Sequence, residues 1–145
     1  MSFLTALSGS AQETQNLDTI RRCIEGQKMA IRVACLFDLQ DPRQAFVASL
    51  SRSTNLYNLS EMKAKHVEAL RALLDIAHVE GDLLKESWRD ILTCISQLDR
   101  FQLISSGVEE GAVPDVMRTQ TGLQPNGTSR KSMQVQRRPT TRAGL

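Results

Sequence analysis

The sequence predicts an all-α fold built from paired helices, followed by a basic C-terminal tail without regular structure. Apolar residues recur at helical spacing from about residue 17 to residue 105, and no segment shows the alternation typical of a β-strand. From Ala112 onward, six Lys and Arg residues accompany one acid, Asp115, and the apolar periodicity stops. We therefore expect a helical-repeat domain over residues 1–116 and a disordered tail or linker over residues 117–145.

The first predicted helix begins after Asn16, a good N-cap residue, and ends near Leu36. Its main apolar stripe consists of Leu17, Ile20, Ile24, Ile31 and Cys35. A second stripe, on a different side of the same helix, consists of Met29, Val33 and Leu36. A helix that is apolar on two sides is expected to have neighbours on two sides.

The second and third predicted helices are recognised by their N-terminal signals. Asp41 is expected to cap the second helix, with Pro42 in its first turn and Gln44 completing a capping-box pattern. Ser60 is expected to cap the third helix, which should end at Gly81. The broad apolar face of the third helix consists of Met62, His66, Leu70, Leu73, Leu74 and Ala77.

The fourth predicted helix begins between Asp82 and Ser87 and ends near Ser105. Trp88, the only tryptophan, is predicted to pack in the core and to wedge this helix against the third. The residues that share its face are Leu84, Ile91, Leu92, Ile95 and Leu98.

A row of basic and polar residues, Lys85, Arg89, Ser96 and Arg100, runs beside the Trp88 face. One interpretation is an ordinary solvated flank of the helix. The other is a positive strip that contacts an acidic protein or a phospholipid headgroup. Lys85, Arg89 and Arg100 are therefore the candidate partner-binding residues.

The helix starts repeat with a regular offset. The first and second helices start near residues 17 and 41, and the third and fourth near residues 60 and 84. The second pair of helices is therefore offset from the first by about 43 residues. This offset lies within the roughly 40–47 residues of HEAT and armadillo repeats. Two such pairs are fewer than the three or more repeats that normally bury a continuous core. The pattern therefore predicts a segment of a longer α-solenoid.

No catalytic, metal or cofactor site is predicted. Cys23, Cys35 and Cys94 form no CxxC motif and are expected to be reduced core thiols. His66 is interpreted as a core histidine and His78 as a residue near a helix C-terminus, without a metal-ligand partner. Walker and dinucleotide motifs are also absent. The start of the chain has no basic n-region and no apolar run reaches the ~18 residues of a membrane span, which favours a cytosolic compartment.

Two long strings carry a family resemblance. CIEGQKMAIRVACLFDLQDPRQAFVASL (23–50) and EMKAKHVEALRALLDIAHVEGDLLKESWRDILTCISQLDRFQLISSGV (61–108) closely resemble one region of the large Arf guanine-nucleotide exchange factors. These are the late-Golgi, brefeldin-A-sensitive proteins of the Sec-seven and BIG type, and the region is the first homology domain downstream of their catalytic exchange domain. FLTALS (3–8) and VPDV (113–116) fit the same alignment, whereas the tail from Met117 has no counterpart.

This resemblance implies an armadillo- or HEAT-like solenoid and a parent protein that loads GTP onto Arf GTPases. It implies a non-catalytic regulatory segment, since the family's catalytic domain has no counterpart in this sequence. The implied partners are a GTP-bound Arf-type GTPase, the Golgi membrane surface and the remaining domains of the parent. The implied location is cytoplasmic and peripheral on trans-Golgi membranes.

An alternative function is a small helical adaptor whose basic tail binds acidic membrane or nucleic acid. The tail lacks aromatic residues for base stacking, so specific recognition of nucleic acid is not expected.

Overall fold

A computed structural model describes residues 2–112 of the 145-residue chain. Over this part the chain forms five α-helices: α1 (Phe3–Glu13), α2 (Leu17–Leu36), α3 (Gln40–Ser53), α4 (Ala64–Val79) and α5 (Trp88–Ser105). Short 3-10 turns, Leu59–Glu61, Gly81–Leu83, Lys85–Ser87 and Glu110–Ala112, make up the remaining regular structure. The all-α prediction is confirmed. The predicted tail (117–145) and the VPDV match lie outside the described residues.

Helix α2 begins and ends where the sequence predicts. The Asn16 side chain accepts hydrogen bonds from the backbone N–H groups of Asp18 and Thr19, at 2.9 and 3.3 Å. These bonds satisfy two of the donors that every helix start leaves unpaired. Most of the first apolar stripe is buried, at Ile20, Ile24, Ile31 and Cys35.

Helix α1 was not among the predicted elements. Ser2 caps it by accepting a hydrogen bond from the Thr5 N–H at 3.2 Å. None of its residues is fully buried, although Leu4 and Leu7 pack against the core. A Cβ atom on Gly26 would lie 3.2 Å from the Leu7 side chain, so the glycine lets α1 approach α2 closely. The prediction of four helices therefore missed one.

The predicted cap of α3 is wrong. Its N-cap is Leu39, which makes no side-chain cap bond, and Asp41 lies within the first turn. The helix starts earlier because the Arg43 N–H already donates to the Leu39 carbonyl, at 3.1 Å. Asp41 still carries a favourable negative charge near the helix N-terminus.

Helix α4, in contrast, starts later than predicted, at Ala64, because a 3-10 turn occupies residues 59–61. His66 Nδ1 accepts a hydrogen bond from the Lys63 N–H, at 3.1 Å, and so helps to cap the helix. The interpretation of His66 as a core histidine is therefore wrong, since its side chain is only half-buried at a helix end. Within the predicted apolar face, Leu73 is fully enclosed whereas Leu74 is exposed.

The helices form two layers. Ion pairs join α2 to α4 from one end to the other, which makes the two helices parallel: Arg21–Glu68, Lys28–Asp75 and Arg32–Glu80. Helix α3 meets α5 in the same direction, since Arg43 lies near Glu86 and Ser51 contacts Cys94. Partners are 47 residues apart at Arg21–Glu68 and 43 apart at Ser51–Cys94. This arrangement is compatible with two repeated helix pairs.

Among the helices of residues 2–112, α3 is central, because it contacts the four other α-helices. Its inward residues include Val47 and Leu50, both fully enclosed. Other fully enclosed apolar residues come from three helices and two connecting segments: Ile31, Leu56, Leu73, Ile76, Leu84, Ile91 and Cys94. One core therefore joins both layers.

Trp88 packs against this core but is only half-buried. Its Nε1–H donates to the Gly81 carbonyl at 2.8 Å, which ties the start of α5 to the end of α4. The predicted face is confirmed at Leu84 and Ile91. It is wrong at Leu92 and Ile95, which are exposed because the inward face of α5 is rotated toward two buried neighbours, Cys94 and Gln97.

We expect the Trp88 ring and its hydrogen bond to contribute separately to stability. Trp88→Phe keeps most of the apolar contact and loses one hydrogen bond, so it should cost about 1 kcal/mol in the free energy of unfolding. Trp88→Ala also removes the ring and should cost about 3 kcal/mol, the low end for a large aromatic because the site is half-buried. Urea denaturation measures both, with the exposed Tyr57→Phe as a control. Equal costs for the two Trp88 variants would show that the ring adds nothing.

Candidate functional site

A buried arginine connects the two helix pairs. The Arg43 side chain, on α3, is almost completely enclosed. Its Nη1 donates to Asp38 Oδ1 at 3.0 Å, and its Nη2 lies 4.0 Å from Glu86. The Lys85 ammonium donates to the same Asp38 oxygen at 2.6 Å. This Asp38–Arg43–Lys85 network, named here the arginine network, joins the α2–α3 connection to the segment that precedes α5.

The network lowers the pKa of the Asp38 carboxyl group. The hydrogen bond from Lys85 is the largest cause and the hydrogen bond from Arg43 is the second. Both Asp38 and Lys85 have a positive backbone φ, 52° and 47°, a conformation that few residues other than glycine adopt. The side-chain contacts therefore hold two unfavourable backbone positions in place.

The three predicted partner-binding residues occupy different environments. Lys85 is exposed but belongs to the arginine network. Arg89 is exposed on α5, and Arg100, about three turns later, is half-buried. The predicted strip thus offers one exposed cation on α5, Arg89, beside two side chains that also contact the fold.

An apolar groove is formed by α1, α2 and the start of α3. The groove encloses about 590 Å³. It is lined by Phe3, Gly26, Met29, Ala30, Val33, Ala34, Leu39, Pro42 and Phe46. The ring centroids of Phe3 and Phe46, which both line the groove, are 6.2 Å apart. Leu36 and Phe37, which follow the lining residues of α2 in sequence, are also exposed.

This apolar groove explains the second stripe of α2. The expectation of neighbours on two sides is met in part, because α1 contacts α2. Met29 and Val33 nevertheless remain about half exposed and Leu36 is 73% exposed. Contiguous exposed apolar surface of this kind is typical of a protein contact site.

The cysteines behave as the sequence predicts. Cys23, Cys35 and Cys94 are buried and form no disulfide. Burial raises the pKa of the Cys35 and Cys94 thiols, and Cys94 Sγ lies 3.1 Å from the Ser51 hydroxyl. A buried thiol with a raised pKa is a poor nucleophile. Within residues 2–112, no group of three or more potential metal ligands occurs and no helix is long and apolar enough to cross a membrane.

The arrangement is suited to binding, through an apolar groove and separate charged surfaces. Sequence reasoning missed the arginine network and the groove. The five-residue spacing of Asp38 and Arg43 around a helix start was a usable signal for the first. The second stripe of α2 was a signal for the second.

Comparison with known proteins identifies relatives over most of the chain. An ADP-ribosylation factor guanine nucleotide-exchange factor of Schizosaccharomyces pombe is 46% identical over 117 residues, which is 81% of this chain and 6% of that protein. An ADP-ribosylation factor guanine nucleotide-exchange factor of Saccharomyces cerevisiae is 45% identical over 116 residues, 80% of this chain and 6% of that protein. Brefeldin A-inhibited guanine nucleotide-exchange protein 1 of Rattus norvegicus is 39% identical over 123 residues, 83% of this chain and 7% of that protein.

The chain thus spans only about one-sixteenth of the length of the curated relatives it matches. No family model matches the sequence. No solved structure matches it either.

We expect removal of the Asp38 charge to destabilise the fold more than removal of the Arg43 charge. Asp38→Asn keeps a residue that tolerates positive φ but leaves a buried cation without its carboxylate. Arg43→Met fills a similar volume without a charge, which is often neutral for a buried ion pair. Thermal unfolding at pH 7 compares the two variants, and a larger loss for Arg43→Met would contradict this account.

The pH dependence of stability provides a separate prediction for Asp38. The pKa of Asp38 is lowered in the folded state. Its carboxylate therefore contributes fully to stability above the ordinary pKa of 3.8, and this contribution is lost as the pH falls through the lower folded-state pKa. Asp38→Asn should therefore lose less stability than the parent as the pH falls below about 4. Parallel stability curves for variant and parent from pH 7 to pH 2 would contradict it.

Proposed function

The chain is related over four-fifths of its length to one segment of the ADP-ribosylation factor guanine nucleotide-exchange factors, and from this relationship we propose that it is a non-catalytic regulatory segment of such a factor. In this proposal, it helps to recruit its parent to trans-Golgi membranes by responding to GTP-bound Arf. The observation that carries the proposal is the 46% identity over 117 residues. The relatives' names connect them to nucleotide exchange on ADP-ribosylation factors.

The small share of each relative that is matched supports a role as one part of a larger assembly. More than nine-tenths of each relative lies outside the matched segment. We propose that a helix from the remaining parent chain occupies the apolar groove, with Met29 and Val33 as its contacts. Parallel α2 and α4 leave the groove side of α2 open, which suits the addition of a further helix to the same layer.

The charged surface of α5 suits a different contact. Arg89 is exposed, so its guanidinium stays hydrated until a partner arrives. Charges at the rim of an interface chiefly affect the association rate and its salt dependence. We assign Arg89, with Lys85 and Arg100 beside it, to the encounter with GTP-bound Arf at the membrane surface.

We expect no exchange activity from this chain. Release of a fluorescent guanine nucleotide from Arf should proceed at the uncatalysed rate at any concentration of the chain. A full-length relative serves as the positive control in the same assay. A rate that rises with the concentration of the chain would contradict the non-catalytic assignment.

We expect capture of Arf to depend on its bound nucleotide and on Arg89. The immobilised chain should retain Arf loaded with GTP in preference to Arf loaded with GDP. Arg89→Glu should slow association about tenfold at low salt, and the difference should shrink as salt screens the charges. The melting temperature should not change, since Arg89 is exposed.

The matched control is Arg22→Glu, which inverts an exposed charge on α2. It should bind like the parent. Capture that is indifferent to nucleotide would contradict the regulatory proposal, and retention of anionic vesicles without Arf would favour the adaptor function. Equal association rates for the Arg89 variant and the parent would remove Arg89 from the interface while leaving nucleotide-dependent capture as the test of function.

A further inference from the structure

A second cavity, which shares no lining residue with the apolar groove, lies between α1, α2, the end of α3 and the start of α4 with the connection that precedes it. It encloses about 310 Å³, close to the lower limit of typical ligand sites. Its walls include aliphatic side chains that belong to the core, Ile20, Ile24 and Ala69. We refer to it as the α4 cavity.

A buried amide oxygen without a hydrogen-bond partner belongs to a residue that lines this cavity. Gln27, on α2, is 1% exposed, and its Oε1 accepts no hydrogen bond from the described residues. A buried acceptor in this condition is unfavourable, and the great majority of such groups in folded proteins are paired. A ligand that carries an N–H or O–H donor would satisfy Gln27.

The rim of the cavity is positively charged. Arg52, Lys63 and Lys65 line it, with Glu61 as the acidic residue among its lining side chains. The Lys65 ammonium donates to the Gln12 carbonyl at 3.1 Å, so α1 holds it in place. The N-terminus of α4, a helix of 16 residues, adds a partial positive charge at the same place.

We propose that the α4 cavity binds an acidic peptide segment. In this arrangement, an apolar side chain contacts Ile20 and Ile24, a peptide N–H donates to Gln27 Oε1, and a carboxylate contacts Lys63 or Lys65. The aliphatic wall distinguishes this ligand from a phosphorylated polyol, whose hydroxyl groups would gain nothing from it. A peptide supplies the donor, the apolar group and the anion together. This inference does not depend on the proposed relation to Arf.

The test is an NMR titration of the ¹⁵N-labelled full chain with the pentapeptide Ac-Asp-Glu-Leu-Asp-Glu-NH₂. Saturable shifts should appear at the Gln27 side-chain amide and at the backbone amides of residues 63–66. The same peptide with Gly in place of Leu should bind at least about threefold more weakly, because it loses the apolar contact. A basic analogue with Lys at the four acidic positions should not bind.

Two variants separate a ligand site from a merely structural role. Gln27→Leu removes the unpaired acceptor, so it should raise the melting temperature of the free chain and weaken peptide binding about tenfold. Lys63→Glu should weaken binding at least tenfold at low salt while the fold persists, because an acid suits a helix N-terminus. The control Arg22→Glu should bind within about twofold of the parent.

Three results would overturn the proposal. The first is peptide affinity that neither Gln27→Leu nor Lys63→Glu changes. The second is a fall in melting temperature for Gln27→Leu, which would mean that Gln27 supports the fold. The third is displacement of the peptide by inorganic phosphate at equal concentration, which would reassign the cavity as a phosphate site.

Discussion

The described part of the fold depends on how the buried charge of Arg43 is neutralised. A guanidinium removed from water is strongly unfavourable unless a carboxylate accompanies it. Asp38 supplies that carboxylate from the short connection between α2 and α3, and Lys85 binds the same oxygen from the segment before α5. The pairing of Arg43 with Asp38, and of Asp38 with Lys85, therefore positions both the α2–α3 connection and the segment before α5. It acts on the whole described fold because α3 contacts every other α-helix of residues 2–112.

Local chemistry explains which parts of the fold the sequence could predict. The bounds of α2 followed from Asn16, whose cap bonds reach only two and three residues along the chain. The start of α3 did not, because its N-cap Leu39 makes no side-chain cap bond that a local pattern could reveal. Helix α1 gave a weak signal, since it buries no residue completely and depends on Leu7 meeting Gly26.

Side-chain surroundings were harder to predict than helix bounds because they depend on residues far away in sequence. Periodicity showed that α5 is apolar on one side, but the direction of its neighbours decided that Ile91 is enclosed and Leu92 exposed. Lys85 belonged to the predicted strip, yet its bond to Asp38 spans 47 residues and no local pattern indicates it. Gln27 likewise looks like an ordinary polar helix residue in the sequence. Only the structure shows that its Oε1 is buried without a hydrogen-bond partner.

The chemistry of the surfaces suggests a division of roles between them. The ion pairs that join α2 to α4 occupy one side of α2, where exposed charges contribute little to affinity but exclude misaligned neighbours. The other side of α2 carries the apolar groove, where burial of Met29 and Val33 would stabilise a lasting contact. Arg89 and the rim of the α4 cavity are hydrated and charged, so contacts there would remain sensitive to salt. In the proposed function, the apolar groove would therefore join the segment to its parent chain, and the charged surfaces would bind partners in a salt-dependent way.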